Sequence, residues 1–143
     1  MFIGEYIYLI DEKRRLSIPS RFRKDLGKEA VVTRGFDECL VLYSTKEWEK
    51  SAQKLQDLPA ARGEARGLVR IMFSGAADVD FDKLGRILIP DSLKNYAGLE
   101  KNVAIIGLGN RIEIWNETKW QSYKAKTEPN VGNIAERLEE LGI

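Results

Sequence analysis

Histidine is absent from all 143 residues, and cysteine occurs once. The first absence removes Ser-His-Asp and Cys-His nucleophile systems together with the commonest metal ligand. The second leaves Cys39 without an internal disulfide partner, and its place in an apolar strand pattern makes it a small core hydrophobe rather than a nucleophile. Long hydrophobic runs are missing too. Val103 to Leu108 is among the longest, far short of the ~20 residues a membrane span needs, so membrane insertion is excluded. No basic region precedes an apolar run at the start, where Met1 leads into Phe2, Glu5 and Tyr6, and a cytoplasmic protein is expected. Net charge is also scarce, at +1, so the field of the whole chain gives no strong pull on a polyanion.

What is present is a folded composition, 43% hydrophobic and 31% charged, with its charge unevenly placed. Residues 1–72 carry 14 Lys and Arg against 11 Asp and Glu, while residues 73–143 carry 9 against 11. Lys13, Arg14, Arg15, Arg21, Arg23 and Lys24 follow one another with no acid from Lys13 to Lys24, which makes a local basic patch.

The chain repeats itself at a distance of seventy-one positions. Phe81-Asp82-Lys83-Leu84-Gly85-Arg86-Ile87-Leu88-Ile89-Pro90 answers Ile10-Asp11-Glu12-Lys13-Arg14-Arg15-Leu16-Ser17-Ile18-Pro19, with Asp, Arg, Ile and Pro in the same places. Phe2-x-Gly4 matches Phe73-x-Gly75, Gly27 matches Gly98, and Val32 matches Val103; after a one-residue slip, Gly35 matches Gly107 and Trp48 matches Trp120. A repeat of this length predicts two homologous units, 1–52 and 73–124, joined by a helical linker at 53–72 and followed by a helical tail at 125–143.

Each unit reads alike. Tyr6, Tyr8 and Ile10, or Ala77, Val79 and Phe81, alternate on one side of a strand; the turn follows, then Leu16 and Ile18, or Ile87 and Ile89, two apart on a second strand. This predicts a β-hairpin. Pro19 and Pro90 open short helices, Ser20–Leu26 and Asp91–Ala97, which stop at Gly27 and Gly98. A second strand pair is expected around Ala30–Thr33 with Leu40–Tyr43, and around Val103–Ile106 with Ile112–Trp115. Ser44-x-x-Glu47 reads as a capping box and Asn116 as an N-cap, for helices that bury Trp48 and Trp120. In the linker, Ala61, Ala65, Leu68 and Met72 share a helical face from Leu55 to Met72, and Arg62, Arg66 and Arg70 form a stripe on another, a solvated face or a second phosphate-contacting one. In the tail, Val131, Ile134, Leu138 and Leu141 have amphipathic spacing and would pack on a neighbouring subunit or fray.

Three apparent sites fail on inspection. Asp78-x-Asp80-x-Asp82 has Lys83 where a calcium loop needs Gly and Ile89 where it needs a bidentate carboxylate. Gly107-x-Gly109 has Ile112 where a dinucleotide fingerprint needs its third glycine. No pocket-forming pattern gathers paired carboxylates, and an enzyme is the least favoured class.

The duplicated turn is the remaining candidate. With Leu16, Ile18, Ile87 and Ile89 facing a core, strand parity turns Arg15 and Arg86 outward. An arginine fixed at the end of a turn is an always-charged fork suited to a phosphate oxygen or a guanine edge. Asp11 and Asp82 are placed to accept hydrogen bonds from the turn amides or to pair with the arginine, aiming it. As a lone copy this would be a surface ion pair of ~0–1 kcal/mol. Two copies, one flanked by Lys13, Arg14, Arg21 and Arg23, point to nucleic acid.

The Phe-x-Gly opening, the doubled Asp-x-x-x-Arg followed by Ile-Pro, and Phe73-Ser-Gly75-Ala-Ala before the second copy resemble the MraZ family of bacterial transcriptional regulators, over nearly the whole chain. The resemblance implies an α+β fold of two tandem swapped-hairpin, AbrB-like β-barrel units with short helices and a pseudo-two-fold axis. It further implies ring-shaped homo-oligomers and a nucleoid-associated protein on repeated promoter boxes of double-stranded DNA, acting on the division and cell-wall gene cluster without a cofactor. The DNA contacts it implies are the turns Asp11 to Arg15, and Asp82 to Arg86 with Lys83. One position departs from the family: Arg14 stands where the second copy, like the family, has Gly (Gly85), so either the first turn has another shape or the extra charge repays a strain of roughly 1 kcal/mol. The alternative is a ring-shaped scaffold that binds an acidic protein partner, an idea prompted by the small net charge and the amphipathic tail.

Overall fold

The computed structural model describes residues 1–143. The first repeat supplies β1 (Phe2–Leu9), β2 (Arg15–Ser17), α1 (Ser20–Leu26), β3 (Glu29–Arg34), β4 (Leu40–Ser44) and α2 (Thr45–Gln56). After α3 (Gly63–Ser74) the second repeat supplies β5 (Ala77–Asp80), β6 (Arg86–Leu88), α4 (Asp91–Ala97), β7 (Asn102–Gly109), β8 (Ile112–Asn116) and α5 (Glu117–Thr127), and a short α6 (Val131–Arg137) follows. Mixed α+β structure with an antiparallel sheet and short helices is thus as expected. Pro19 and Pro90 stand at the N-caps of α1 and α4, where a missing N–H costs nothing.

The pairing of the strands differs from the expected hairpin. β1 and β2 share only the isolated bridge Ile10–Leu16. Instead β1 runs antiparallel to β7 of the other repeat, from Phe2 opposite Gly109 to Leu9 opposite Asn102; β5 pairs with β3, and β2 pairs with β6. The result is a six-stranded sheet in the order β1-β7-β8-β4-β3-β5 and a two-stranded ribbon β2-β6. Exchanging the repeats reverses the sheet order onto itself. The approximate two-fold axis passes through the ribbon pair Leu16–Ile87 and the sheet pair Val41–Glu113.

Because strands are exchanged, neither repeat closes a core alone. One cluster of 20 buried residues draws on both, including Leu16, Phe22, Leu40 and Leu42 from the first and Ile87, Leu93, Ile105 and Ile114 from the second. α1 and α4 contribute Phe22 and Leu93 to it. On the outer face of the sheet a smaller cluster of Cys39, Ala104, Ile106 and Trp115 is sealed by Trp120, whose ring lies 5.4 Å from that of Trp115. Burial, with Glu113 beside it, pushes the Cys39 thiol far up, so it stays a neutral packing group.

Three local expectations change. The linker is two pieces, not one helical stretch, because Pro59 excludes a continuous helix through Leu58. Ala61 consequently falls outside α3, and that helix half-buries Ala65, Val69, Met72 and Phe73 while Leu68 and Ile71 stay exposed. Phe73, matched in sequence to Phe2 of β1, ends a helix and packs on Trp48 at 5.7 Å. The capping box is half made: Ser44 Oγ accepts from the Glu47 N–H at 3.2 Å, but Glu47 Oε1 takes Lys50 Nζ instead of reaching back. Asn116 does cap α5, its Oδ1 accepting from the Lys119 N–H at 3.0 Å.

Candidate nucleic-acid interface

The two turns are built alike, almost atom for atom. The N–H of Arg14 donates to the Asp11 carbonyl at 3.0 Å, and the N–H of Gly85 to the Asp82 carbonyl at 3.0 Å. Each closes with a backbone bond from the Asp N–H to the Arg carbonyl, at 3.0 Å and 2.9 Å. Asp11 Oδ1 accepts from the amides of Lys13 (2.9 Å) and Arg15 (2.8 Å), while its Oδ2 accepts from Arg15 Nε at 2.7 Å. Asp82 Oδ1 accepts from Leu84 and Arg86, both at 2.9 Å, and its Oδ2 from Arg86 Nε at 2.8 Å. The Arg15 and Arg86 amides, reinforced by the guanidiniums, hold both carboxyls below the usual carboxylate range.

This bracket explains the Asp-x-x-x-Arg spacing. The aspartate must reach the amides two and four residues on, and only a left-handed fourth residue lets the chain double back so tightly. Gly85 has φ 76 and Arg14 φ 63, so both turns take the same shape. Arg14 is held there by a second tie: its Nε donates to the Ile89 carbonyl at 3.0 Å and its own carbonyl accepts from the Ile89 N–H at 2.8 Å. The turn of one repeat is thereby fastened to the ribbon strand of the other.

The ribbon places the brackets side by side. Leu16 and Ile87 are fully buried opposite each other, so Arg15, Ser17, Arg86 and Leu88 lie on the outward face. Arg86 Nη1 comes within 3.8 Å of Asp11 Oδ2, linking the two brackets electrostatically. In each arginine the Nε edge is occupied by its aspartate. The terminal nitrogens, aimed by a rigid turn, make no hydrogen bond within the chain, the long contact of Arg86 Nη1 with Asp11 apart, and remain to meet a ligand.

The other residues of the basic patch divide. Lys13 and Lys83 are exposed at the turn tips. Arg21 is exposed on α1, with Nη1 3.4 Å from the Tyr6 hydroxyl. Arg23 belongs to the scaffold as well: its guanidinium packs on Gly85, leaving Nε buried without a partner, so α1 of the first repeat buttresses the turn of the second. Arg14 is likewise half-buried by its tie to Ile89. Of the linker stripe, Arg66 folds back onto the Ala60 and Ala61 carbonyls (2.9 and 3.1 Å) and Arg62 pairs loosely with Glu64 (3.9 Å). Leu84 and Leu88, which a reading of charge does not single out, stand exposed beside the arginines. Laying the copies in register, with Lys13 against Leu84 and Ser17 against Leu88, exposes that difference. No three His, Cys, Asp or Glu side chains converge to hold a metal ion, and no helix is long and apolar enough to cross a membrane.

A family model described as "MraZ protein, putative antitoxin-like" matches the chain twice, over residues 1–71 and 72–141. Proteins named transcriptional regulator MraZ are similar along the whole length. Those of Acetivibrio thermocellus and Syntrophomonas wolfei are 48% and 45% identical over 143 residues, and that of Moorella thermoacetica 43%, each alignment covering all of both chains.

Proposed function

The chain belongs to the MraZ family, and on that premise we propose that it is a sequence-specific DNA-binding transcriptional regulator acting as a ring-shaped oligomer. The observation that carries this reading is the pair of identical brackets that leave two arginine ends on one outward ribbon face. In each subunit Arg15 and Arg86 are the contacts, Asp11 and Asp82 aim them, and Lys13, Lys83 and Arg21 add phosphate attraction. Arg14 and Arg23 act from behind, fixing the turns. The resemblance adds repression of the division and cell-wall gene cluster through repeated promoter boxes, from the nucleoid of the cytoplasm. It also adds swapped-hairpin, AbrB-like units at 1–52 and 73–124, to which the exchanged strands lend support.

A single subunit at +1 would bind DNA weakly. A ring that repeats the brackets around its rim engages several boxes together, and effective concentration multiplies modest contacts. Apolar side chains left open on the single chain support association of copies: Ile3, Ile7 and Leu9 on β1, and Val131, Leu138 and Leu141 in the tail.

The test is a gel shift with the fragment upstream of the chain's own gene against a scrambled fragment of equal length. Preference for the former, a steep fall in affinity with salt, and loss of binding in Arg15→Ala and Arg86→Ala with the native mass intact are expected. A scaffold for an acidic protein would not distinguish the two fragments, and that result would replace this reading.

A further inference from the structure

The two brackets are alike, but their surroundings are not. At the third position of the turn the first copy has Lys13 and the second has Leu84; on the ribbon face the first has Ser17 and the second Leu88. Both leucines are open to solvent, 70% and 52% exposed. Neither is loosely held: the Leu84 N–H donates to Asp82 Oδ1 at 2.9 Å, and Leu88 lies directly opposite Arg15 in the ribbon. Two exposed leucines on a rigid surface shared with Lys13, Lys83, Arg15 and Arg86 are poorly suited to an apolar protein partner, which would have to strip water from four cations around them. They suit a surface that is itself mostly polar and anionic with small apolar points. The major groove is such a surface, because thymine presents a C5-methyl group there beside the acceptors that arginine engages on guanine.

We propose that Leu84 and Leu88 read thymine methyl groups in the major groove, so that the second turn discriminates sequence while the basic first turn chiefly holds phosphates. This rests on the DNA-binding reading above. It gives the near-neutral second repeat a purpose that charge alone does not, and it assigns the two copies of one device to different tasks.

Removing thymine methyls without touching the hydrogen-bonding groups isolates the effect. The fragment upstream of the chain's own gene is amplified with dTTP or with dUTP, and the full-length protein is titrated against both by fluorescence anisotropy. Burying one methyl is worth roughly fourfold in affinity, so a box read through one or two methyls loses about four- to fifteen-fold on uracil DNA. Leu84→Ala and Leu88→Ala should bind thymine DNA more weakly and lose most of the thymine preference. Lys13→Ala should bind both forms more weakly and keep the preference, which controls for any change in DNA shape caused by uracil. Equal wild-type binding to the two forms overturns the inference while leaving the DNA reading intact, as does a preference that survives in both leucine variants. Dissociation of the oligomer on Leu84→Ala or Leu88→Ala also overturns it, making these leucines subunit contacts. Binding of neither form above scrambled DNA sinks the DNA reading, and this inference with it.

Discussion

Replacing Gly85 by Ala probes the tightest point of the second turn. The new Cβ meets two obstacles. Gly85 has φ 76, a left-handed conformation that costs a side-chain-bearing residue about 1–2 kcal/mol. The Cβ would also stand 2.7 Å from Arg23 Nε and closer still to its Cζ and Nη1, so Arg23 must swing off the turn. Displacing the far end of a flexible side chain is cheap in repulsion but forfeits packing, roughly 0.5–1 kcal/mol. The sum is about 2 kcal/mol, or roughly 6 °C in Tm for a chain of this size. Thermal unfolding followed by circular dichroism at one fixed protein concentration measures it. Repeating the substitution in an Arg23→Ala background removes the collision and should leave only the backbone part, a coupling of ~0.5–1 kcal/mol. The counterpart Arg14→Gly should come out near neutral, because relief at φ 63 is offset by loss of the bond to Ile89. A Gly85→Ala protein with unchanged Tm, or one whose loss is the same with Arg23 absent, would refute the buttress.

Two further outcomes follow from the same geometry. Leu16→Ala opens a cavity on the pseudo-axis, where Leu16 and Ile87 are both fully buried, and should cost about 2–5 kcal/mol by urea unfolding; a loss under 1 kcal/mol would mean that the ribbon is not part of the shared core. Asp11 and Asp82 titrate below the usual carboxylate range, so their brackets are intact above it and are lost only as pH falls through the lowered values. The urea midpoints of wild type and an Asp11→Asn/Asp82→Asn variant should therefore differ by a constant amount from about pH 8 to 5 and converge on further acidification; a gap that already shrinks near neutrality would contradict the assignment.

Much of the local structure was legible because local chemistry decides it. Pro19 and Pro90 set the starts of two helices, strand parity turns Arg15 and Arg86 outward, and the Asp-x-x-x-Arg spacing itself brings each carboxylate to its arginine. What stayed hidden lies between distant parts of the chain. Alternation tells which face of β1 is buried but not whether β2 or β7 lies beside it, and here the partner is about a hundred residues away. Arg14 at a left-handed position was equally opaque, since its compensation is the carbonyl of Ile89 in the other repeat. Arg23 reads as one more cation of a basic run; only the packing against Gly85 separates it from Lys13, which is open to a ligand. In the linker Pro59 is itself the signal that divides the helical spacing from Leu55 to Met72 into two pieces.

The exchanged strands also set an order of events at the ribosome. When the first repeat has left the exit tunnel it has β1 without β7, β2 without β6 and β3 without β5. Its core residues lack their partners until the chain has been made as far as Ile114, the partner of Leu40. Folding must wait for nearly the whole message to be translated, and pairing across such separations is slow. During that interval the unpaired edges of one nascent chain are open to the matching edges of its neighbours on the same message. Each time it is made, the chain thus passes through a state in which another copy can supply the missing strand.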